Sequence, residues 1–394
     1  QALKNDSEFT MRAKMKIIAD QNIPLAKELF AEFGEITSLP GRDITAKDID
    51  NADILLVRSV TNVNRELLLS NTTVKFIGSC TIGIDHLEID YLSDANIAWA
   101  NAPGCNANAV VQYVLTAMAI AQPRWLEKTI GIIGCGNVGG SLYKCLTALG
   151  VKCICYDPLL TAAADLTRVD LDDLLTQADI ISCHVPLTTD GDYPSLHMLG
   201  KKEFAMIKDN ALLINSGRGA VIDTVALGQE LDKRSLCGKK LSIVLDVWEN
   251  EPMVDHALLD KITLGSPHIA GYSIEGREQG TFMIYQALCR FLMQPESAAA
   301  HAQLTTDKKA VMTDSIFDRT TLNDGDKALE NFNRLLLSCY NSTRDHQALC
   351  HVDNFDGLRK NYPARREYSH FVLPEDFDNA QIRHWFNTIK LTVI

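Results

Sequence analysis

No two of the 11 cysteines are spaced as Cys-x-x-Cys, their number is odd, and they are scattered from Cys80 to Cys350. That pattern argues against a dithiol redox centre, a zinc knuckle and a disulfide framework, and fits reduced, mostly buried thiols in a cytoplasmic protein. Cys153 and Cys155 alternate along one apolar segment with no third or fourth ligand near them, so a packed thiol pair is expected and no metal site. Long hydrophobic runs are missing too. The longest, Ala109 to Ala121, is interrupted by Gln112 and falls short of the ~20 residues that span a bilayer, so no membrane contact is expected. The opening stretch QALKNDSEFTMRAKM lacks a charged-then-apolar secretory pattern, and residues 1–14 are expected to form a lead outside the fold. Basic charge is in deficit: 38 Lys and Arg against 50 Asp and Glu give a net charge of −12, which argues against a nucleic-acid surface.

What is present is a chain of 394 residues, 46% hydrophobic, long enough for two or three domains with separate cores. Short apolar runs recur through the first three quarters: KIIAD, DILLVRSV, KFIGSC, IAWAN, TIGIIGCG, KCICYD, DIISCHVP, ALLINSG and LSIVLDVW. Continuous rather than alternating apolarity predicts strands covered on both faces, the habit of parallel sheets in α/β domains. Two sheets fit better than one. Four of these runs precede a helical stretch, Ala107 to Ala121, and the fifth opens a new glycine-rich turn, placing a break near Asn101-Ala102-Pro103-Gly104. A later helix, from about Ser273 to Met293, is expected to return to the first unit.

The strongest local motif follows the fifth run. Gly134-x-Gly136-x-x-Gly139 sits between a strand and a helix, with Asn137 and Val138 inside the turn. The first glycine makes the turn, the second admits a pyrophosphate, the third lets helix pack on strand, and the helix N-terminus faces the phosphate charge. Asp157 ends the next strand, where an acid is expected to bind a ribose 2′-hydroxyl and to repel a 2′-phosphate. The predicted cofactor is NAD.

Ionisable groups follow later strand ends. Arg218 lies in INSGRGAVID, Glu251 in LDVWENEP and His268 in SPHIAG. A lone histidine in an apolar setting is more often a core residue than a proton carrier, but ligands of open α/β sheets bind beyond the carboxyl ends of strands, where all three converge. Hydride abstraction from a secondary alcohol needs a base, a cation for the carboxylate or carbonyl, and an anion to orient the base. His268, Arg218 and Glu251 suit those tasks in that order. His184 in SCHVPL is expected to be structural. Arg58, Ser59 and Thr61 in VRSVT offer a cation and hydroxyls at a strand end, an anion site.

With INSGRG, LDVWENEP and SPHIAG behind GCGNVG, the chain resembles the D-isomer-specific 2-hydroxyacid dehydrogenases over about residues 15–300. VRSVTNVN, SCTIGIDH, APGCNANAVVQYV and HIAGYSIEG, with LRKNYPARRE in the tail, resemble a branch of that family with an extra C-terminal dimerisation domain, which acts on a phosphorylated hydroxy acid. The resemblance implies catalysis by Arg218, Glu251 and His268, and NAD contacts at Asp157, Val185, Ser216, Gly217, Arg218, Asp246 and Gly271. It implies substrate contacts at Ser59, Thr81 and Tyr272. The expected fold is α/β: two Rossmann-like or flavodoxin-like doubly wound parallel-sheet domains and a small α+β appendage. Residues 15–106 with 273–300 bind substrate, 107–272 bind NAD, and 301–394 form the dimerisation domain of a homodimer. In the appendage a helix is expected over Asp324 to Tyr340 and an edge strand at HFVLP; Arg359, Lys360, Arg365 and Arg366 form a basic cluster, either solvated or holding anionic substrate near a partner subunit's site. Two other readings stay open: a 3-phosphoglycerate dehydrogenase of the same family, and an NAD(H)-sensing binding protein without catalysis.

Overall fold

The computed structural model describes residues 14–69, 73–161, 165–304, 310–311, 327–373, 380–390 and 392–393. The lead expected over residues 1–14 thus lies outside the described residues except for Lys14, and so does the start of the helix expected from Asp324. The described residues divide into two compact units, one within Gln1–Asn106 and Glu275–Asp307, the other within Ala107–Ile274 and Lys308–Ile394.

The first unit holds a parallel sheet of β1 (Met15–Asp20), β2 (Gly34–Leu39), β3 (Ile54–Val57), β4 (Phe76–Ser79) and β5 (Ala98–Ala100), in the order β2-β1-β3-β4-β5. All residues of β3 and β4 are buried, as their unbroken apolarity predicts, because helices cover both faces. The edge strand β2, GEITSL, was not among the expected runs. It carries polar residues on a half-exposed face and so shows no continuous apolar stretch. The order reverses between β1 and β3, so Asp20 and Arg58 flank the point at which doubly wound sheets take ligands.

The second unit holds β6 (Thr129–Ile133), β7 (Lys152–Tyr156), β8 (Ile180–Cys183), β9 (Leu212–Asn215), β10 (Ser242–Leu245) and β11 (Leu264–Gly265), all parallel, in the order β11-β10-β9-β8-β6-β7. Along β7 Cys153 and Cys155 enter one apolar core and Ile154 the other. The thiols are packed, not paired as a disulfide.

The helix Ala107–Ala121 has the expected bounds, and nearly every side chain from Ala107 to Ala119 is buried. Its apolarity follows from having two partners. One side packs in the NAD unit and the other meets the helix Ala328–Cys339, with Phe332, Leu335, Leu336, Trp385 and Phe386 joining the same core. The indole of Trp125, fully buried, donates to Asn333 Oδ1 (2.9 Å), whose amide donates to the Pro123 carbonyl (2.8 Å). Each large apolar side chain moved from water into such a core is worth about 1.5–3 kcal/mol. The described residues beyond 310 therefore share a core with the NAD unit instead of standing apart as a separate body. Phe371–Leu373, expected at a sheet edge, is instead the central strand β13 of a three-stranded sheet with β12 (Ala310–Val311) and β14 (Thr392–Val393). Among the described residues no helix is long and apolar enough to cross a membrane.

Candidate active site

The glycine turn begins where β6 ends. Gly134 has φ +85°, and a Cβ there would lie 2.6 Å from the Val185 side chain; at Gly139 a Cβ would lie 1.9 Å from the Gly134 carbonyl oxygen. At Gly136 a Cβ would meet nothing within 4 Å. The first and third glycines thus serve the fold, and the second leaves room in front of the helix Asn137–Ala148, whose N-terminus has no side-chain cap. That is the donor set a pyrophosphate needs. Asp157 braces the turn: one carboxylate oxygen accepts from the Cys135 N–H (2.8 Å) and the other from the Leu159 N–H (3.1 Å). The carboxylate is half-exposed and retains lone pairs for ribose hydroxyls, so the residues present fit a dinucleotide.

Three loops follow the strands β8 to β10. After β8, Val185 packs against the glycine turn, and His184 is held by Ser182 Oγ (2.9 Å) and Ser216 Oγ (3.2 Å). Desolvation pushes the His184 pKa down to about 4, so the ring is neutral and structural. After β9, buried Asn215 brackets Ser216, Gly217 and Arg218: its amide donates to the Arg218 carbonyl (2.9 Å) and its oxygen accepts from the Gly217 N–H (3.1 Å). A Cβ on Gly219 would lie 2.0 Å from the Trp248 backbone, so only glycine lets the Arg218 loop approach the loop after β10.

The loop after β10 carries Asp246 and Glu251. Asp246 is buried; it accepts from Ser266 Oγ (2.6 Å) and from the N–H groups of Ile269 (2.8 Å) and Ala270 (2.9 Å), and its carbonyl accepts from His268 N–H (2.7 Å). These bonds hold His268 at φ 55°, a left-handed conformation costing a β-carbon residue about 1–2 kcal/mol. In this conformation the ring meets Glu251: His268 Nδ1 lies 2.7 Å from Glu251 Oε2, and the Trp248 N–H donates to Oε1 (3.0 Å). Burial pushes the Glu251 carboxyl up, but the hydrogen bond and charge of His268 outweigh it and hold the group below its ordinary value. An ionised carboxylate only accepts, so Nδ1 carries the proton and Nε2 is the basic nitrogen. Among the described residues Nε2 has no hydrogen bond. The His-carboxylate pair expected of a general base is thus assembled, on the same unit as Arg218 and the dinucleotide turn.

The C-terminal segment supports this loop. The Arg365 guanidinium, 5% exposed, donates to the carbonyls of Ile269 (3.3 Å), Ala270 (2.8 Å) and Ala109 and to the Gln112 side chain (3.1 Å), and stacks on Tyr340 (4.1 Å to the centroid). Gln112, which interrupts the apolar helix, also donates to the Arg366 carbonyl (3.1 Å). Arg365 therefore belongs neither to a solvated patch nor to an anion site. Its donors are engaged on main chain that lies far away in sequence, which no local pattern announces. Tyr272 and Gly271 follow directly, the Tyr272 ring edge-on to Tyr362 at 5.9 Å.

The remaining expected substrate contacts lie in the first unit. Arg58, half-buried, follows β3, and its side chain makes no hydrogen bond or ion pair among the described residues; Ser59 is exposed. Thr81 follows β4, its hydroxyl 2.9 Å from Ser79 Oγ, which in turn meets His86 Nε2 at 3.0 Å. Thr61 does not serve an anion: it is buried, and its hydroxyl donates to the Gly41 carbonyl (2.8 Å).

The NAD-binding domain of the D-isomer specific 2-hydroxyacid dehydrogenases matches residues 112–270. The chain is 44% identical to an erythronate-4-phosphate dehydrogenase from Cellvibrio japonicus, over 95% of this chain and 99% of that protein. It is 46% identical to one from Teredinibacter turnerae, over 91% and 95%. The chain belongs to the erythronate-4-phosphate dehydrogenase family. It is an NAD-dependent oxidoreductase of the D-2-hydroxyacid type, with the α/β fold of two parallel-sheet, Rossmann-like units. A solved D-lactate dehydrogenase from Aquifex aeolicus, complexed with NAD and lactic acid, shares the fold with a TM-score of 0.59 at 22% identity, over 71% of this chain and 95% of that one.

Proposed function

We propose that the chain oxidises C2 of 4-phospho-D-erythronate to 2-oxo-3-hydroxy-4-phosphobutanoate in pyridoxal 5′-phosphate biosynthesis, as a cytoplasmic homodimer joined through its C-terminal segment. The observation that carries the chemistry is the 2.7 Å bond between His268 Nδ1 and Glu251, which directs the basic Nε2 away from the carboxylate. Nε2 takes the C2 hydroxyl proton, and Glu251 stabilises the imidazolium that forms. Arg218 grips the C1 carboxylate and the C2 oxygen with its fork of donors. Bound NAD supplies the hydride acceptor. Gly134, Gly136, Asn137, Val138 and Gly139 would hold its pyrophosphate and Asp157 its ribose, and Val185, Ser216, Gly217, Arg218, Asp246 and Gly271 would supply the remaining contacts to it. Ser59, Thr81 and Tyr272 contact substrate, and Arg58 faces its phosphate.

Single-turnover formation of NADH with 4-phospho-D-erythronate and with D-3-phosphoglycerate tests this reading. Reaction with the first compound, slowed by about 10²–10⁴ in His268→Asn, is the expected result. Turnover of D-3-phosphoglycerate alone moves the assignment to the other dehydrogenase. Bound NAD without reaction of either compound leaves a dinucleotide-sensing protein. Sedimentation of the full chain tests the dimer.

A further inference from the structure

Arg359 lies on the short helix Phe355–Lys360, and its guanidinium sits between two rings, 5.7 Å from the centroid of Tyr272 and 5.8 Å from that of Phe355. Tyr272 comes four residues after His268, and the charge of Arg359 reaches Glu251. Arg359 nonetheless forms no ion pair or hydrogen bond among the described residues, and its Nε is buried without a partner. Its neighbour Arg365 shows the contrast: all three of its nitrogens are engaged.

A buried guanidinium N–H without an acceptor is costly, and contact with aromatic rings leaves the donors of the group for a ligand. The group is a planar fork beside the base that acts at C2. Its natural ligand is an oxyanion. Arg218 already serves the carboxylate end of a four-carbon substrate, so a second cation near His268 meets the other charged end, a phosphate that carries close to two negative charges and calls for more than one arginine.

We propose that Arg359 is a substrate-binding residue that receives the phosphate of the hydroxy acid, making the C-terminal segment part of the active site of its own chain. The inference rests on the reading above that the substrate is phosphorylated.

The test compares Arg359→Ala and Arg359→Lys with the unaltered full chain, using 4-phospho-D-erythronate as substrate and D-erythronate and inorganic phosphate as competitive inhibitors. In Arg359→Ala the KM for 4-phospho-D-erythronate and the inhibition constant of phosphate rise by roughly 10- to 100-fold, while the inhibition constant of D-erythronate stays within about threefold. Arg359→Lys keeps the charge without the fork and recovers part of the loss, a rescue that a purely structural role does not give. NADH binding, followed by its fluorescence, reports that each variant is folded; should the alanine variant fail there, the lysine variant decides through the same ratio of phosphate to D-erythronate effects. Equal weakening of all three compounds overturns the inference and leaves the reaction standing. If the unaltered chain does not oxidise 4-phospho-D-erythronate, the functional reading fails first and the inference falls with it.

Discussion

Asp246 and Arg365 grip the same stretch of backbone from opposite sides. The Asp246 carboxylate accepts the N–H groups of Ile269 and Ala270, and the Arg365 guanidinium donates to the carbonyls of the same two residues. Between them they fix the chain just after His268. Replacing Arg365 by Met strands carbonyls that are buried, at about 1–3 kcal/mol each, and frees the loop. Urea unfolding is expected to show a loss of about 3 kcal/mol or more. In the fraction that stays folded, kcat falls more than NAD affinity. A variant as stable and as active as the parent would show that the clamp positions nothing.

The glycine turn makes two opposite predictions from one motif. Gly139→Ala drives a Cβ into a backbone oxygen that has nowhere to go, so the turn deforms and soluble protein is lost or strongly destabilised. Gly136→Ala meets no protein atom, so stability stays within about 1 kcal/mol while NAD affinity drops, because the methyl occupies the space before the helix N-terminus. Thermal unfolding with and without NAD separates the two. An unchanged NAD-induced rise in Tm for Gly136→Ala contradicts the assignment of that glycine to the pyrophosphate.

Asp345 sets a pH dependence. Burial pushes its pKa up to about 6 against the partial relief of the Tyr340 hydroxyl bond, the Arg365 charge and the Tyr362 hydroxyl. A carboxyl with a raised folded-state pKa binds its proton more tightly when folded, so its contribution is fully present below about pH 4 and is lost as pH rises through about 6. The shift corresponds to roughly 3 kcal/mol at most. Asp345→Asn keeps an acceptor for the tyrosines and removes the titration. The stability difference between parent and variant should therefore shrink in the parent's disfavour between pH 4 and 6 and level off above; a difference that is flat from pH 4 to 7 shows that Asp345 ionises as it does in the unfolded chain.

Legibility in the sequence followed the range of the interactions. The helix Ala107–Ala121 and the runs that became β3, β4, β6 and β8 were readable because burial on two faces leaves unbroken apolar stretches. The dinucleotide turn was readable because its glycines and Asp157 act within one strand-turn-helix-strand unit. The role of Arg365 was not, since its Gln112 partner lies 253 positions away and the stretch ARRE reads equally well as a solvated surface. Gln112 likewise looked like a flaw in an apolar helix, yet it is satisfied from both ends by the C-terminal segment. The strand β2 escaped because an exposed edge writes an alternating pattern six residues long that a loop also writes. His268 sits between: its chemistry was inferred from company at strand ends, whereas its left-handed backbone and the Asp246 bonds that enforce it leave no local mark.

The segment VRSVT offered Arg58, Ser59 and Thr61 as a single anion site, and the structure separates its members. Thr61 is buried and gives its hydroxyl proton to Gly41, so Thr61→Val should cost about 1–2 kcal/mol of stability and leave the KM for 4-phospho-D-erythronate within about twofold. Arg58 follows β3 at the reversal of strand order with its side chain unengaged among the described residues, so Arg58→Ala should leave the unfolding midpoint unchanged and raise that KM by roughly 10-fold or more. D-erythronate, which lacks the phosphate, should inhibit both variants as it inhibits the parent. The pair of substitutions divides scaffold from ligand contact within four residues of chain. An Arg58→Ala protein that weakens D-erythronate as much as the phosphorylated acid places Arg58 at the carboxylate or in the scaffold, and the phosphate must then be held without it.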